Sequence, residues 1–194
     1  MYKRCTTEKG CNLQKQFENT LLSLMQQIPY DAISVRKLCD IAGITRKTFY
    51  RIFTDKESVL CALIDRVYAE FLTFDFPDST LSPNVSRELQ IFFHYWKEQK
   101  PLLDALLANE KRGLLIECSL LHVFREENTT IYRLGAENSP YSREMVLFHI
   151  GGIMTLVLDW HQSGYQKPVP EMAELLHSLL INPPIRNSFP TDHL

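Results

Sequence analysis

Residues 34–53 read SVRKLCDIAGITRKTFYRIF, and this stretch decides the fold. Its first half places apolar residues at helical spacing behind Ser34, whose hydroxyl can cap a helix. Its second half, from residue 46 to 53, is a short basic helix with Thr45 as the next candidate cap. Gly43 lies in the turn between them. Two short helices joined by a tight, glycine-containing turn are typical of a helix-turn-helix, which we predict here.

The second helix presents side chains that suit contacts with DNA. An arginine can contact guanine O6 and N7, and threonine hydroxyls can reach phosphates or base edges. The N-terminal turn adds free backbone N–H groups and the positive end of the helix dipole. We expect base contacts and phosphate contacts from eight residues: Thr45, Arg46, Lys47 and Thr48 at the start of the helix, and Arg36, Tyr50, Arg51 and Lys56 around it. The alternative for each is a solvent-exposed polar face.

The distribution of charge supports a DNA-facing end. Residues 1–56 hold ten Lys and Arg against five Asp and Glu, a net charge of +5. The remaining residues hold eleven against eighteen, a net charge of -7, so the formal net charge of -2 conceals a basic head on an acidic body. Such an asymmetry is expected when one end of a protein binds a polyanion.

Helical periodicity continues on both sides of the basic stretch. We predict a capping box of Thr54 and Glu57 before a long helix, and loop chemistry with two prolines over residues 75–84. The predicted helices outside the basic stretch are 8–28, 57–74, 83–99, 101–110, 114–134, 140–163 and 170–181. This pattern predicts an all-α fold with a three-helix head (1–56), a connecting helix (57–74), a helical body (75–181) and a loosely ordered tail (182–194).

Several classes of protein are not indicated. The five cysteines and six histidines show no metal-site spacing, and an odd, scattered set of cysteines fits a reducing cytoplasm. Residues 1–20 lack the apolar core of a signal peptide, and the longest apolar run, residues 145–160, is shorter than the roughly twenty residues that span a bilayer. No nucleotide-binding or hydrolase motif occurs. We therefore expect no membrane span, metal, cofactor, catalytic residue or enzymatic activity.

The basic stretch also resembles a known family. The segment from Ile33 to Phe53, with its helix cap, Ala-Gly turn and Thr-Phe-Tyr in the second helix, followed by Asp55-Lys56-Glu57, is similar to the tetracycline-repressor (TetR) family. The similarity covers about residues 12–67. One position departs from the pattern, because Ile52 stands where the family commonly has His. The phosphate or framework contact that this His would make is then missing.

The resemblance implies a DNA-binding head on a larger helical body that forms dimers and often holds a ligand. In the family the last two long helices pair with those of a second copy in a four-helix bundle, and helices 140–163 and 170–181 fit that role. Two alternatives stay open. The first, against the dimer, is that these helices cover only the core of their own chain. The second, against a ligand pocket, is that the aromatic middle of the body is ordinary core. Ligand pockets have mostly apolar walls with a few polar groups. The candidate ligand contacts of these two kinds are Phe93, Trp96, His122, Phe148 and His149.

These observations predict a sequence-specific transcription regulator, as a homodimeric repressor that a small-molecule effector releases from double-stranded operator DNA. The alternative is a regulator of the same fold that answers to a protein partner or to cysteine oxidation, with Cys39 and Cys61 as the candidates near the head. Neither the operator sequence nor the effector follows from the residues.

Overall fold

The computed structural model describes residues 2–71, 86–125 and 142–181. Within these ranges the chain forms nine α-helices and no strand, which confirms the predicted all-α class. We number them α1 (Glu8–Met25), α2 (Val35–Ala42), α3 (Arg46–Ile52), α4 (Lys56–Phe71), α5 (Arg87–Glu98), α6 (Lys100–Ala108), α7 (Arg112–Arg125), α8 (Ser142–Gln162) and α9 (Val169–Ile181). The predicted domain boundary at residues 75–84 and the predicted tail both lie outside the described residues.

Most predicted helix bounds agree with the structure to within a few residues. α1 ends at Met25 rather than at residue 28, and a short 3-10 turn, Tyr30–Ala32, follows Pro29. α5 begins at Arg87, after the non-helical Ser86, and not at residue 83. The predicted extensions of α4 to residue 74 and of α7 to residue 134 continue into ranges that are not described.

The cap of α4 lies one residue later than predicted. Asp55 accepts a hydrogen bond from the Ser58 N–H at 2.7 Å, and the Ser58 hydroxyl accepts from the N–H of Thr54 and of Asp55, both at 3.2 Å. The expected capping box of Thr54 and Glu57 is therefore wrong. Although burial raises the pKa of Asp55, the hydrogen bonds from Ser58 and Thr54 outweigh it and hold that pKa below its ordinary value.

α4 is the central helix of the molecule. It packs against α1 on one side and against α7 on another, and its residues Leu60 and Ile64 are fully buried. A buried ion pair joins it to α1, because Arg66 donates to the Glu18 carboxylate at 2.5 Å and the Glu18 side chain is fully shielded from solvent. Burial would lower the pKa of Arg66, but Glu18 and Glu70 raise it overall. The helix that leaves the head is thus also part of the framework of the body.

The body packs around aromatic side chains. α9 lies on α5, and α8 lies on α7. Phe93 and Trp96 of α5 are almost completely buried, and the Phe93 ring meets Trp160 of α8 edge to face at 5.3 Å. This apolar packing holds the helices of the body together beneath the head.

Candidate nucleic-acid interface

The turn between α2 and α3 is fixed by its glycine. Gly43 adopts φ 65°, in the left-handed region that favours glycine, and so ends α2 after Ala42. The Ile44 N–H then donates to the Cys39 carbonyl at 3.0 Å, which closes the end of the helix. Gln16 of α1 donates to the Ala42 carbonyl at 2.7 Å. The predicted helix-turn-helix is therefore present, and α1 braces its turn.

At the start of α3, one of the predicted DNA contacts caps the helix and two others are exposed side chains. The Thr45 hydroxyl accepts from the Thr48 N–H at 3.2 Å, and the two hydroxyls lie 3.1 Å apart. Thr45 is therefore the cap of α3, as Ser34 is the cap of α2. Arg46 and Lys47 project from the first turn as exposed side chains, next to the free N–H end of the helix.

The opposite side of α3 is locked into the head. Phe49 and Phe53 are buried, and both rings meet the buried Phe17 ring of α1 edge to face, at 5.2 and 5.8 Å. Aromatic pairs in this arrangement add about 0.5–1.5 kcal/mol beyond the burial of their area. With this side fixed, Tyr50 (59% exposed) and Arg51 lie on the outer surface.

The two cations predicted beside α3 differ from each other. Arg36 is exposed, and its guanidinium lies 3.7 Å from the exposed carboxylate of Asp40. Such a surface pair contributes little energy, so Arg36 can exchange it for a phosphate. Lys56 instead donates to the carbonyls of Tyr30 (2.7 Å) and Ile33 (3.0 Å) and lies over the Tyr30 ring. Two of its three N–H donors are used inside the protein, and its predicted phosphate contact depends on the third.

An N-terminal segment, which the sequence reasoning did not include in the interface, runs beside α3. Residues 2–7, called the arm below, pair with the end of α3 through a bridge between Tyr2 and Phe53. The Lys3 N–H donates to the Ile52 carbonyl at 2.9 Å, and the Tyr2 hydroxyl donates to Asp65 of α4. The only signal in the sequence was the excess of basic residues, because the arm has no helical periodicity.

Among the polar contacts of the body, one reaches the connecting helix α4 and another reaches the head itself. At the first, His122 of α7 lies with its Nδ1 3.3 Å from the Asp65 carboxylate, and both side chains are buried. At the second, Asn109, after α6, accepts from the Tyr30 N–H at 2.6 Å and donates to the Met25 carbonyl at 3.0 Å. These contacts tie the position of the head to the helices of the body.

The five predicted ligand residues do not form one site. Phe93, Trp96 and His122 are buried, and the rings of Trp96 and His122 both pack against Tyr68, at 5.6 and 4.8 Å. Phe148 is 73% exposed, and with its neighbour His149 it lines a groove of about 590 Å³ between α8 and α9. Phe93, Trp96 and His122 thus lie in one part of the body, and Phe148 and His149 lie in another.

The cysteines are less scattered in space than in sequence. Cys5 of the arm pairs with Cys11 of α1, and Cys61 of α4 pairs with Cys118 of α7. Cys39 has no disulfide and is buried, and this burial raises the pKa of its thiol. Of the two candidates for oxidation near the head, Cys61 has a partner, whereas Cys39 is held as an unreactive thiol.

Two further features are absent from residues 2–71, 86–125 and 142–181. No helix there is both long enough and apolar enough to cross a membrane. No group of three or more His, Cys, Asp and Glu residues there is arranged to hold a metal ion.

Comparison with known proteins gives both a sequence match and a structural match. Residues 20–63 match the model of a family described as bacterial regulatory proteins, tetR family. The fold is similar to that of Lin0861 from Listeria innocua, with a TM-score of 0.67 and 15% identity over 91% of this chain and 93% of that one. No curated protein matches the sequence.

Two other solved structures match this chain with lower TM-scores. The fatty acid degradation regulator FadR from Bacillus halodurans has a TM-score of 0.47 and 16% identity over 92% of this chain and 97% of its own. The TetR family repressor AlkX from Dietzia sp. strain DQ12-45-1b has a TM-score of 0.47 and 11% identity over 86% of this chain and 92% of its own.

Proposed function

Because the chain belongs to the tetR family of bacterial regulatory proteins, which are DNA-binding transcriptional regulators, we propose that it acts as a homodimeric repressor that an effector releases from its operator. The observation that supports operator reading best is the asymmetry of α3. One side of this helix is locked on Phe17, and the other presents Arg46 and Lys47 at its N-terminal turn. A rigid helix with exposed cations is what major-groove reading requires.

We assign different contacts to different residues of this surface. Arg46, Lys47 and Thr48 read base edges, while Arg36, Tyr50 and Arg51 bind phosphates on either side of the groove. Thr45 holds the start of α3, and Lys56 holds the loop before α2. The protein acts where the bacterial chromosome lies, in the cytoplasm, and has no catalytic role.

The groove between α8 and α9 supports a homodimer. Phe148 and Leu179 expose apolar surface there, and a Cβ built on Gly151 or Gly152 would meet nothing within 4 Å among the described residues. A second copy that brings its own α8 and α9 to this surface would bury it in a four-helix bundle. The two heads would then bind half-sites about one turn of DNA apart, which gives a dimer the affinity that one short helix lacks.

The buried contact between α4 and α7 supports control by an effector. Tyr68 donates to Ser119 at 2.7 Å while its ring stacks on His122, so a few buried polar groups couple the two helices. A small molecule that enters the core beside Trp96 and His122 would shift α7, and α4 would transmit the shift to the head. We assign Phe93, Trp96 and His122 to this effector region, and Phe148 and His149 to the dimer surface.

Selection from a pool of random duplex oligonucleotides with the purified protein tests the proposal. A dimeric operator reader enriches an inverted repeat whose half-sites are about one helical turn apart. Wild-type protein that binds the final pool no better than the starting pool would rule out sequence-specific binding. Enrichment of a single half-site would retain DNA reading but reject the dimer.

A second candidate is control by thiol oxidation, and the Cys61–Cys118 pair supports it because it would link α4 to α7 covalently. Exchange with a small-molecule disulfide such as oxidised glutathione would form this bond and release two equivalents of reduced thiol. We would measure operator affinity in reduced and oxidised glutathione buffers for wild type, Cys118→Ser and the control Cys39→Ser. Equal affinity in both buffers for all three proteins removes this candidate.

A further inference from the structure

The arm and the start of α1 enclose a basic cleft at the end of α3. The cleft has a volume of about 320 Å³, and four cationic side chains line it: Lys3, Arg4, Lys9 and Arg51. Residues 2–9 contribute three of these charges against a single carboxylate, that of Glu8. The cleft therefore has a net positive charge.

The position of the cleft makes it continuous with the surface of the recognition helix. The Lys3 N–H donates to the carbonyl of Ile52, the last residue of α3, at 2.9 Å, and Arg51 of α3 lines the same cleft. A recognition helix contacts bases mainly with its N-terminal residues. With the N-terminal turn of α3 in the groove, groups fixed beside its C-terminal end would lie toward the sugar-phosphate backbone.

The arm is held in this position by several independent contacts. The Tyr2 hydroxyl donates to Asp65, the Lys3 N–H donates to the Ile52 carbonyl at 2.9 Å, and the Tyr2 and Phe53 rings lie 6.2 Å apart. A segment that is ordered before binding loses less conformational entropy when DNA arrives. These contacts therefore favour a binding role over that of a loose basic tail.

We propose that the arm cleft binds the DNA phosphates that flank the half-site, so that Lys3, Arg4 and Lys9 extend the interface beyond the helix-turn-helix. This inference rests on the proposed operator binding. Each phosphate that a cation neutralises releases condensed counterions, which makes the affinity fall with salt concentration. The cleft carries no information about base sequence and raises the affinity for every duplex alike.

The test uses the full-length double variant Lys3→Gln/Lys9→Gln and a matched control, Lys100→Gln/Lys167→Gln, which removes two exposed charges from the body. Affinities are measured by fluorescence anisotropy at several KCl concentrations. The probes are a duplex selected by the wild-type protein and an unselected random duplex. Thermal unfolding followed by circular dichroism establishes that both variants are folded.

For the arm variant we expect the slope of log K against log[KCl] to become less steep by about 3.6, from two phosphate contacts in each of the two protomers at about 0.9 each. Its affinity should fall by about tenfold or more at 0.1 M KCl, to the same extent for both probes. The control variant should bind like wild type. An unchanged slope and affinity in the arm variant, an equal loss in the control, or a loss confined to particular flanking base pairs would overturn the proposal.

Failure of this inference is distinguishable from failure of operator binding. If wild type prefers the selected duplex and the arm variant binds both probes as wild type does, only the arm proposal is wrong. If wild type shows no preference for the selected duplex, the proposed function itself is wrong.

Discussion

Asp65 of the connecting helix α4 pairs with His122 of the body, with 3.3 Å between the Asp65 carboxylate and His122 Nδ1. The other oxygen of the same carboxylate accepts a hydrogen bond from Tyr2 of the arm, which in turn pairs with Phe53 at the end of α3. One buried carboxylate thus stands between a helix of the body and the segment beside the recognition helix.

Tyr2→Phe should loosen the arm without altering the bases that are read. The variant loses one hydrogen bond to a charged group, which costs about 1.5–3 kcal/mol of stability when such a bond is buried and less where solvent reaches it. DNA affinity should fall several-fold, equally for all sequences. Urea unfolding and anisotropy titrations measure the two effects. Tyr165→Phe, which removes a phenol 2.6 Å from His161 Nδ1 in the body, is the control and should leave DNA affinity unchanged.

Arg46→Ala should change both affinity and base preference. Loss of a bidentate contact to a base costs about 1–3 kcal/mol and relaxes the specificity at that position. Repeating the oligonucleotide selection with the variant measures the preference directly. Arg112→Ala, which removes an exposed arginine from α7, should select the same sequence as wild type. The same sequence selected by Arg46→Ala would contradict the assignment.

Lys56→Met should act mainly on stability. Its ammonium donates to two backbone carbonyls, those of Tyr30 and Ile33, and Met leaves both without this donor. We expect a loss of about 1–3 kcal/mol in the free energy of unfolding, measured with urea. Lys37→Met, on the exposed face of α2, should cost little. A stable Lys56→Met protein with weakened DNA binding would show that phosphate contact is the main role of this lysine.

Phe148→Glu should separate the dimer. This substitution places a charge in the apolar groove between α8 and α9, where a second copy would have to bury it. Light scattering should give the mass of a monomer, and affinity for the inverted repeat should fall roughly 100-fold through loss of the second head. Ile41→Glu replaces another exposed apolar side chain, on α2 (57% exposed against 73% for Phe148), and it should remain dimeric. A dimeric Phe148→Glu protein would argue for another interface.

The cap of α4 should make stability depend on pH. Because the pKa of Asp55 is lowered in the folded protein, its carboxylate contributes stability that is fully present above the ordinary Asp pKa of about 3.9 and is lost as the pH falls. Asp55→Ala should therefore cost about 1 kcal/mol at pH 7, and clearly less near pH 3. Urea unfolding at the two pH values measures this difference. Ser34→Ala, which removes the uncharged cap of α2, should cost the same at both pH values.

Local chemistry explains which features the sequence could predict. The caps at Ser34 and Thr45 and the left-handed Gly43 depend on neighbours within four residues, so their pattern is visible in the chain. The cap of α4 was missed by one residue because Thr54 with Glu57 and Asp55 with Ser58 both have capping spacing. Only the position of the helix in the fold selects the second pair.

Contacts between distant residues explain what the sequence could not predict. Lys56 looks like a surface cation until the carbonyls 23 and 26 residues earlier are brought beneath it. Cys61 and Cys118 are 57 residues apart and share no motif. The arm has no helical periodicity, and its place beside α3 depends on Asp65, far along the chain. In the sequence, Phe148 and His122 both belong to the aromatic middle of the body, but in the structure Phe148 is exposed and His122 is buried.

The central position of α4 has a consequence for building chimeric regulators from this chain. A graft that joins residues 1–56 to a foreign body would remove Val59, Leu63 and Arg66, so α1 would lose the apolar cover that α4 gives it and Glu18 would lose its ion-pair partner. Each large apolar side chain of α1 that is uncovered in this way costs about 1.5–3 kcal/mol, a large part of the stability of a small domain. The unit that can be transferred is therefore α1 to α4 together. The recipient body must then supply a partner for Asp65, as His122 does here.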